Sequence, residues 1–257
     1  MKAATPDEFL IVAAARLLAG CRHVAVGANS PIPAGAALLA RALAGPAMRV
    51  NLLGSRRHNF FTNGGVELFD CAAEGRIDAF FLGGGQIDGQ GNVNLVGTGT
   101  YPQTNVRWPG SFGAPFLYHF VPRVILFRPE HSPRVLVEKV DFVSAPGSAP
   151  GDRRRPGGPQ SLLTGMALFR FERERGRFCL ESVHPGHDAD EVRAATGFAY
   201  DQPEQVPETQ APDAAVLALW RETVRLELSE TYPRFAAPRF SVVGPGPGPG
   251  LAPADPA

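Results

Sequence analysis

The chain carries no net charge: 25 Lys and Arg balance 25 Asp and Glu across 257 residues. A protein that holds nucleic acid ordinarily shows a basic excess, so no nucleic-acid partner is expected. Cysteine is scarce. The three that occur, Cys21, Cys71 and Cys179, are scattered and odd in number. They form no disulfide framework and no metal-binding spacing, and a reducing cytoplasm is the expected compartment. No apolar run approaches the roughly 20 residues that span a bilayer, so no membrane partner is expected. Met1–Glu8 lacks the apolar core of a secretion signal. His184 and His187 stand three apart, but Pro185-Gly186 between them reads as a turn and no Cys or acid cluster accompanies them. No metal is expected. A Gly-Lys-Ser/Thr triplet is absent, which removes a P-loop. Gly83-x-Gly85 has no third glycine three residues on, which removes a dinucleotide fingerprint.

What is present alternates between helical and strand patterns. Thr5-Pro6-Asp7-Glu8 has the form of a capping box, the apolar residues from Phe9 to Leu18 supply a helix face, and Gly20 stops it. His23–Gly27 reads as a strand, Pro33–Leu43 as a helix and Arg49–Leu53 as a second strand. That order implies parallel pairing. A helix over Val66–Ala73 and strands over Ile77–Leu82, Arg123–Phe127 and Arg134–Val140 are expected next. Ser144–Gln160, with Arg153-Arg154-Arg155, reads as a disordered loop. Met166–Glu172 and Phe178–Val183 read as a hairpin. Asp188–Ala195 reads as a helix capped by Asp188, with Glu191 closing its box. Ala214–Tyr232 reads as an amphipathic helix burying Val216, Leu217, Leu219, Trp220, Val224 and Leu226. The expectation is α/β: an open, mostly parallel sheet with flanking helices, in a single domain over 1–243. The Pro-Gly repeat over 244–257 cannot build a core and reads as a disordered tail.

The stretch from Phe80 to Pro115 concentrates the chemistry. A buried strand runs into Gly83-Gly84-Gly85, where φ > 0 and close ligand approach are both open to glycine. Gln86, Asp88, Asn92 and Asn94 add polar ends, and a second glycine loop follows at Gly110-Ser111-Phe112-Gly113-Ala114. One glycine run alone suits a surface loop. Two of them interleaved with amides read as a binding site. Upstream, Gly54–Phe61 carries Arg56, Arg57 and His58. This is either a solvated charged loop or a contact for phosphate or carboxylate, both of which arginine pairs with bidentately.

The set Gly83-Gly84-Gly85-Gln86-Ile87-Asp88 with Gly91-Asn92-Val93-Asn94, then Gly110-Ser111 and Gly113-Ala114, resembles the β subunit of class I CoA-transferases, glutaconate type. Lys139-Val140-Asp141-Phe142-Val143-Ser144-Ala145-Pro146-Gly147 and Thr196-Gly197-Phe198 extend the likeness over roughly residues 7 to 230. The resemblance implies a CoA-transferase (NagB/RpiA-like) fold. It implies coenzyme A as a substrate thioester, an α-type partner subunit in a hetero-oligomer, and a substrate-binding and oxyanion loop at Gly83, Gly84, Gly85, Gln86, Asn92, Asn94, Gly110, Ser111 and Gly113. Arg56 and Arg57 are its candidate anion contacts. In that family a glutamate in a Val-Glu-Ser-Gly pattern at the end of the second strand attacks the acyl carbonyl. This chain has Asn51-Leu52-Leu53-Gly54-Ser55, so the position falls on Leu53 or Gly54 and no nucleophile is assigned. The closest downstream acid, Glu67, reads as a helix-surface residue. Ser55 has only His58 near it. A related branch, the steroid ring-opening CoA-thioester hydrolases, also lacks the glutamate in its β subunit. Three functions are therefore expected in competition: a transferase β subunit acting on acyl-CoA, a hydrolase or ring-opening β subunit, and a non-catalytic scaffold subunit.

Overall fold

The computed structural model describes residues 3–147 and 155–237. It opens with α1 (Pro6–Arg16), and the capping box is formed. Thr5 Oγ1 accepts from the Glu8 amide at 3.3 Å, and the Glu8 carboxylate accepts from the Thr5 amide at 2.9 Å. Then come β1 (His23–Val26), α2 (Pro31–Ala44), β2 (Arg49–Leu52), α3 (Gly64–Ala73) and β3 (Ala79–Leu82). Two short antiparallel pairs follow, β4 (Gln86–Ile87) with β5 (Val93–Asn94) and β6 (Gly97–Thr98) with β7 (Val106–Arg107). After α4 (Ala114–Phe120) come β8 (Arg123–Arg128), β9 (Pro159–Thr164), β10 (Ala167–Glu172), β11 (Arg177–Val183) and α5 (Ala189–Ala194). The last elements are α6 (Ala214–Leu219), a π turn (Trp220–Val224), α7 (Arg225–Leu228) and α8 (Pro233–Ala236).

Seven strands form one open sheet in the order β11-β10-β9-β8-β3-β1-β2. The five from β9 to β2 are parallel, and β10 and β11 add an antiparallel edge. Neighbouring residues on each central strand face opposite layers. Val24, Val26, Phe81 and Ile125 pack toward α1, α2 and the C-terminal helices. Ala25, Phe80, Leu82 and Val124 pack toward α3 and α4. Both faces are covered, which is why these strands read as unbroken apolar runs. The expected α/β class, with an open, mostly parallel sheet, is the observed one. Among the described residues, no helix is long and apolar enough to cross a membrane.

Several local expectations are corrected. Arg134–Val140 is not a strand. Ser132 O accepts from the Val135 and Leu136 amides in a turn, and Leu136 makes only an isolated bridge to Ile87. β8 already has β3 on one side and β9 on the other, so no place beside it is free. β9 itself begins inside the stretch expected to be a loop. Pro159 opens it, the first strand position being one where a missing N–H is tolerated. Asp188 caps α5, but the Glu191 carboxylate turns to His187 Nδ1 at 3.2 Å instead of closing the box. The last long helix is interrupted by the π turn. Leu226 lies outward, 64% exposed, and Leu228 is buried in its stead. Arg155 is tied down, donating to Pro146 O at 2.6 Å. Arg153, Arg154 and the 244–257 tail lie outside the described residues.

Candidate functional site

The C-terminal ends of the parallel strands share one edge of the sheet. β1 has β2 on one side and β3 on the other, so chain order reverses at β1. Open α/β sheets bind ligands at such a reversal, beyond the strand ends. The loops leaving β1 (residues 27–30), β2 (53–61) and β3 (83–85) all emerge there. β2 and β3 stand two strand spacings apart, about 10 Å.

The glycines leaving β3 work differently from expectation. None of Gly83, Gly84 and Gly85 is in the left-handed region. What they contribute is absent side chains. A Cβ on Gly84 would stand 2.5 Å from Val93 Cγ1, and one on Gly85 would overlap the indole of Trp108. Gly83 is exposed. The polar residues of the motif are largely spent on the chain itself. Buried Asn94 donates through Nδ2 to Gln86 Oε1 and to Gly97 O, both at 2.7 Å, and its Oδ1 accepts from the Val96 amide at 2.9 Å. Gln86 Oε1 also accepts from the Asp141 amide at 3.0 Å, and Gln86 Nε2 donates to the Asp141 carboxylate at 3.2 Å. Asp88 accepts from the Gln90 and Asn92 amides, each at 3.0 Å, and Asn92 Oδ1 accepts from the Gly147 amide at 3.0 Å. These side chains hold the β4–β5 hairpin against the 141–147 segment. Asp141 and Trp108 are site elements that the sequence reading missed. Asp141 stood within the second matched motif, whereas nothing marked Trp108 as the partner of Gly85.

The loop leaving β2 is built on another plan. Leu53 is half-buried at the strand end, and Gly54 follows with φ +93°. Ser55 Oγ donates to Glu230 Oε2 at 2.6 Å and accepts from the His58 amide at 2.9 Å, and the Arg56 amide donates to Glu230 Oε1 at 2.8 Å. Hydrogen bonds from Ser55, then Thr231, hold the Glu230 carboxyl down to about 2. Buried His58 faces Glu227 at 3.2 Å and Arg41 at 3.4 Å. Burial lowers its pKa, against the opposing pull of Glu227. Ser55 is thus bonded to an acid rather than to the His58 ring, and no serine–histidine relay forms. Arg56 and Arg57 are exposed, and neither guanidinium has an ion-pair partner among the described residues. Glu67 accepts from the Thr62 and Asn63 amides at 2.6 and 3.2 Å. These bonds fix the turn before α3, and they lower its pKa.

The second glycine loop leads into α4. Gly110 takes φ +104° in open space, Ser111 O accepts from the Ala114 amide at 2.9 Å, and Gly113 lies against the Phe69 ring. His184 is buried, with Nδ1 2.9 Å from Thr209 Oγ1 and Nε2 3.0 Å from Thr164 O, while His187 pairs with Glu191 on the surface. The two do not converge. His131 is half-buried between Thr164 and Thr196, and desolvation lowers both His131 and His184 to about 4.

The comparisons place this geometry in a family. The family model described as "Coenzyme A transferase" matches residues 10–195. The β subunit of glutaconate CoA-transferase from Acidaminococcus fermentans is 35% identical over 151 residues, covering 56% of each chain. The cholesterol ring-cleaving hydrolase IpdB subunit of Rhodococcus jostii is 30% identical over 162 residues, covering 62% of this chain and 63% of that one. These matches span little more than half the length of the curated relatives. In solved structures the likeness is wider. The A. fermentans glutaconate coenzyme A-transferase superposes with a TM-score of 0.75 at 27% identity, over 85% of this chain and 94% of that one. The decarboxylase AibA/AibB superposes with a TM-score of 0.72 at 28% identity, over 84% and 93%. With the matched model running from α1 to the end of α5, the chain belongs to the coenzyme A transferase family.

Proposed function

We propose that this chain is the β-type subunit of a cytoplasmic, heteromeric enzyme acting on acyl-CoA thioesters, and that it binds and polarises the thioester without attacking it. The observation that carries this reading is Leu53, an apolar side chain at the end of β2. CoA transfer through a covalent intermediate needs a group that is both nucleophile and leaving group, such as a carboxylate. Acids around the loop leaving β2 are otherwise engaged, Glu67 in the turn before α3, Glu230 on Ser55 and Arg56, and Glu227 on Arg41 and His58. The Gly85 amide is spent on Asn94 O at 2.9 Å, which fixes the loop, and the backbone at Gly83 and Gly84 suits oxyanion stabilisation, where preorganised donors need no rearrangement. Arg56 and Arg57 are free to meet the CoA phosphates. The nucleophile then comes from an α-type partner, and hydrolysis or ring opening accords with this arrangement better than CoA transfer through a β-subunit glutamate. Both curated relatives described above are named as subunits of larger enzymes, which supports a multi-subunit assembly.

The test is turnover and sedimentation of the chain alone and of the chain co-expressed with an α-type subunit. The expected result is acyl-CoA turnover by the complex only. Enzyme-like turnover by this chain as a monomer would contradict the reading.

A further inference from the structure

Phe112 is an outlier in two respects. Its backbone is left-handed, φ +45°, and its ring is 83% exposed. A non-glycine residue held there costs on the order of 1–3 kcal/mol, and an exposed ring recovers little of that through burial. Its ring packs beside small neighbours. The Phe69 ring occupies the space a Gly113 side chain would take. Phe112 Cζ lies 3.3 Å from where a Gly65 Cβ would be, and the Phe69 and Phe112 rings are 5.6 Å apart. Two glycines and a phenylalanine thus lie around a strained phenylalanine at the surface. Strain of this kind clusters at ligand contacts and active sites.

The location says what that contact is. α3 and α4 each lead into the start of a strand, so their first residues, Gly64 and Ala114, lie toward the ligand edge of the sheet. Phe112 precedes α4 there. Phe60, 53% exposed, lies on the loop that leaves β2 just beyond Leu53. On that same loop, Ser55 and Arg56 are drawn to Glu230, which follows α7 on the opposite face of the sheet. The edge is therefore divided: exposed cations on the turn tied to the C-terminal helices, aromatic surface at the openings of α3 and α4. An acyl-CoA with an apolar acyl group has the same division, its phosphates at one end and hydrocarbon at the other.

We propose, on the basis of the function assigned above, that Phe112 determines acyl specificity. With Phe60 and Phe69 it forms an apolar wall for a bulky hydrocarbon acyl group, which gains from the phenyl face a contact that a carboxylate-ended group does not. The test is calorimetric binding to the assembled complex of three unreactive probes: CoA, S-cyclohexylmethyl-CoA and S-(3-carboxypropyl)-CoA. Phe112→Gly is the primary variant, because glycine takes φ +45° without strain. Phe112→Leu restores apolar bulk. The expected result is that Phe112→Gly weakens the cyclohexylmethyl probe about tenfold, leaves the other two within about twofold, and that Phe112→Leu recovers most of the loss. Equal weakening of all three probes, or no change in any, overturns the specificity role while leaving the CoA-binding function intact. Loss of subunit assembly in Phe112→Gly overturns it in favour of a partner anchor. Failure of the wild-type complex to bind any of the three probes overturns the proposed function as well.

Discussion

The loops that leave β3 and β2 lie on one edge of one sheet and treat their polar groups in opposite ways. Beyond β3, Gln86, Asp88, Asn92 and Asn94 spend their hydrogen bonds on the chain, and Gly84 and Gly85 are packed under Val93 and Trp108. Beyond β2, two guanidinium groups stand exposed and without ion pairs among the described residues, on a turn fastened by one acid, Glu230. The first loop is a rigid frame that presents backbone. The second presents side-chain charge. A half-site for a thioester needs both, a fixed set of donors near the carbonyl and adjustable charge for the phosphates.

The largest effect that would break this contrast is at Gly85. Gly85→Val drives a branched side chain into the Trp108 indole. A loss of about 1–3 kcal/mol is expected, read as a lower melting temperature, with Trp108 fluorescence shifted toward that of exposed indole. Unchanged melting and emission would mean that the glycine loop is open after all.

Glu230→Gln should cost less, below about 1 kcal/mol, because the carboxylate is exposed and screened. Its signature is in the pH dependence. The folded carboxyl titrates at about 2 against 4.5 as its ordinary value. Its contribution is therefore complete above about 4.5 and is lost as pH falls toward 2. His131 and His184 act in an earlier window. Their folded pKa of about 4 lies below the ordinary 6.5, so the unfolded chain takes up protons first and stability falls between those values. Acid melts of the wild type should show both declines, and Glu230→Gln should diminish only the lower one, to which Glu67 and Glu8 also contribute. A variant with an unchanged lower decline would detach Glu230 from the β2 loop.

The smallest effect on stability is expected at the exposed pair. Arg56→Ala with Arg57→Ala should change folding stability by no more than about 0.5 kcal/mol, yet weaken CoA binding to the complex several-fold at low salt, with the difference fading as salt is added. Wild-type affinity at low salt would leave the charges as solvated surface.

Much of the fold was legible. Apolar runs marked β1, β2, β3, β8, β10 and β11, and Thr5 with Glu8 marked the start of α1. What failed was non-local. Val135 and Leu136 are buried as a strand would be, yet β9 holds the place beside β8, and a strand opened by Pro159 after a Gly/Arg-rich stretch carries a weak signal. The site divides likewise. The glycine loop was visible as a motif, but the partners that define its role, Trp108 for Gly85 and Asp141 for Gln86, are fixed only by folding. The tie between Ser55 and Glu230 spans 175 positions and left no mark in the sequence at all.

The central claim is that this chain frames and polarises the thioester while its partner attacks. It is tested most directly by trapping the intermediate. The complex is incubated with an acyl-CoA, quenched with hydroxylamine or borohydride, and digested for mass analysis. The account predicts that the peptide covering residues 49–57 keeps its unmodified mass and that any adduct maps to the partner subunit. An adduct on Glu67, or on any other acid of this chain, would contradict it.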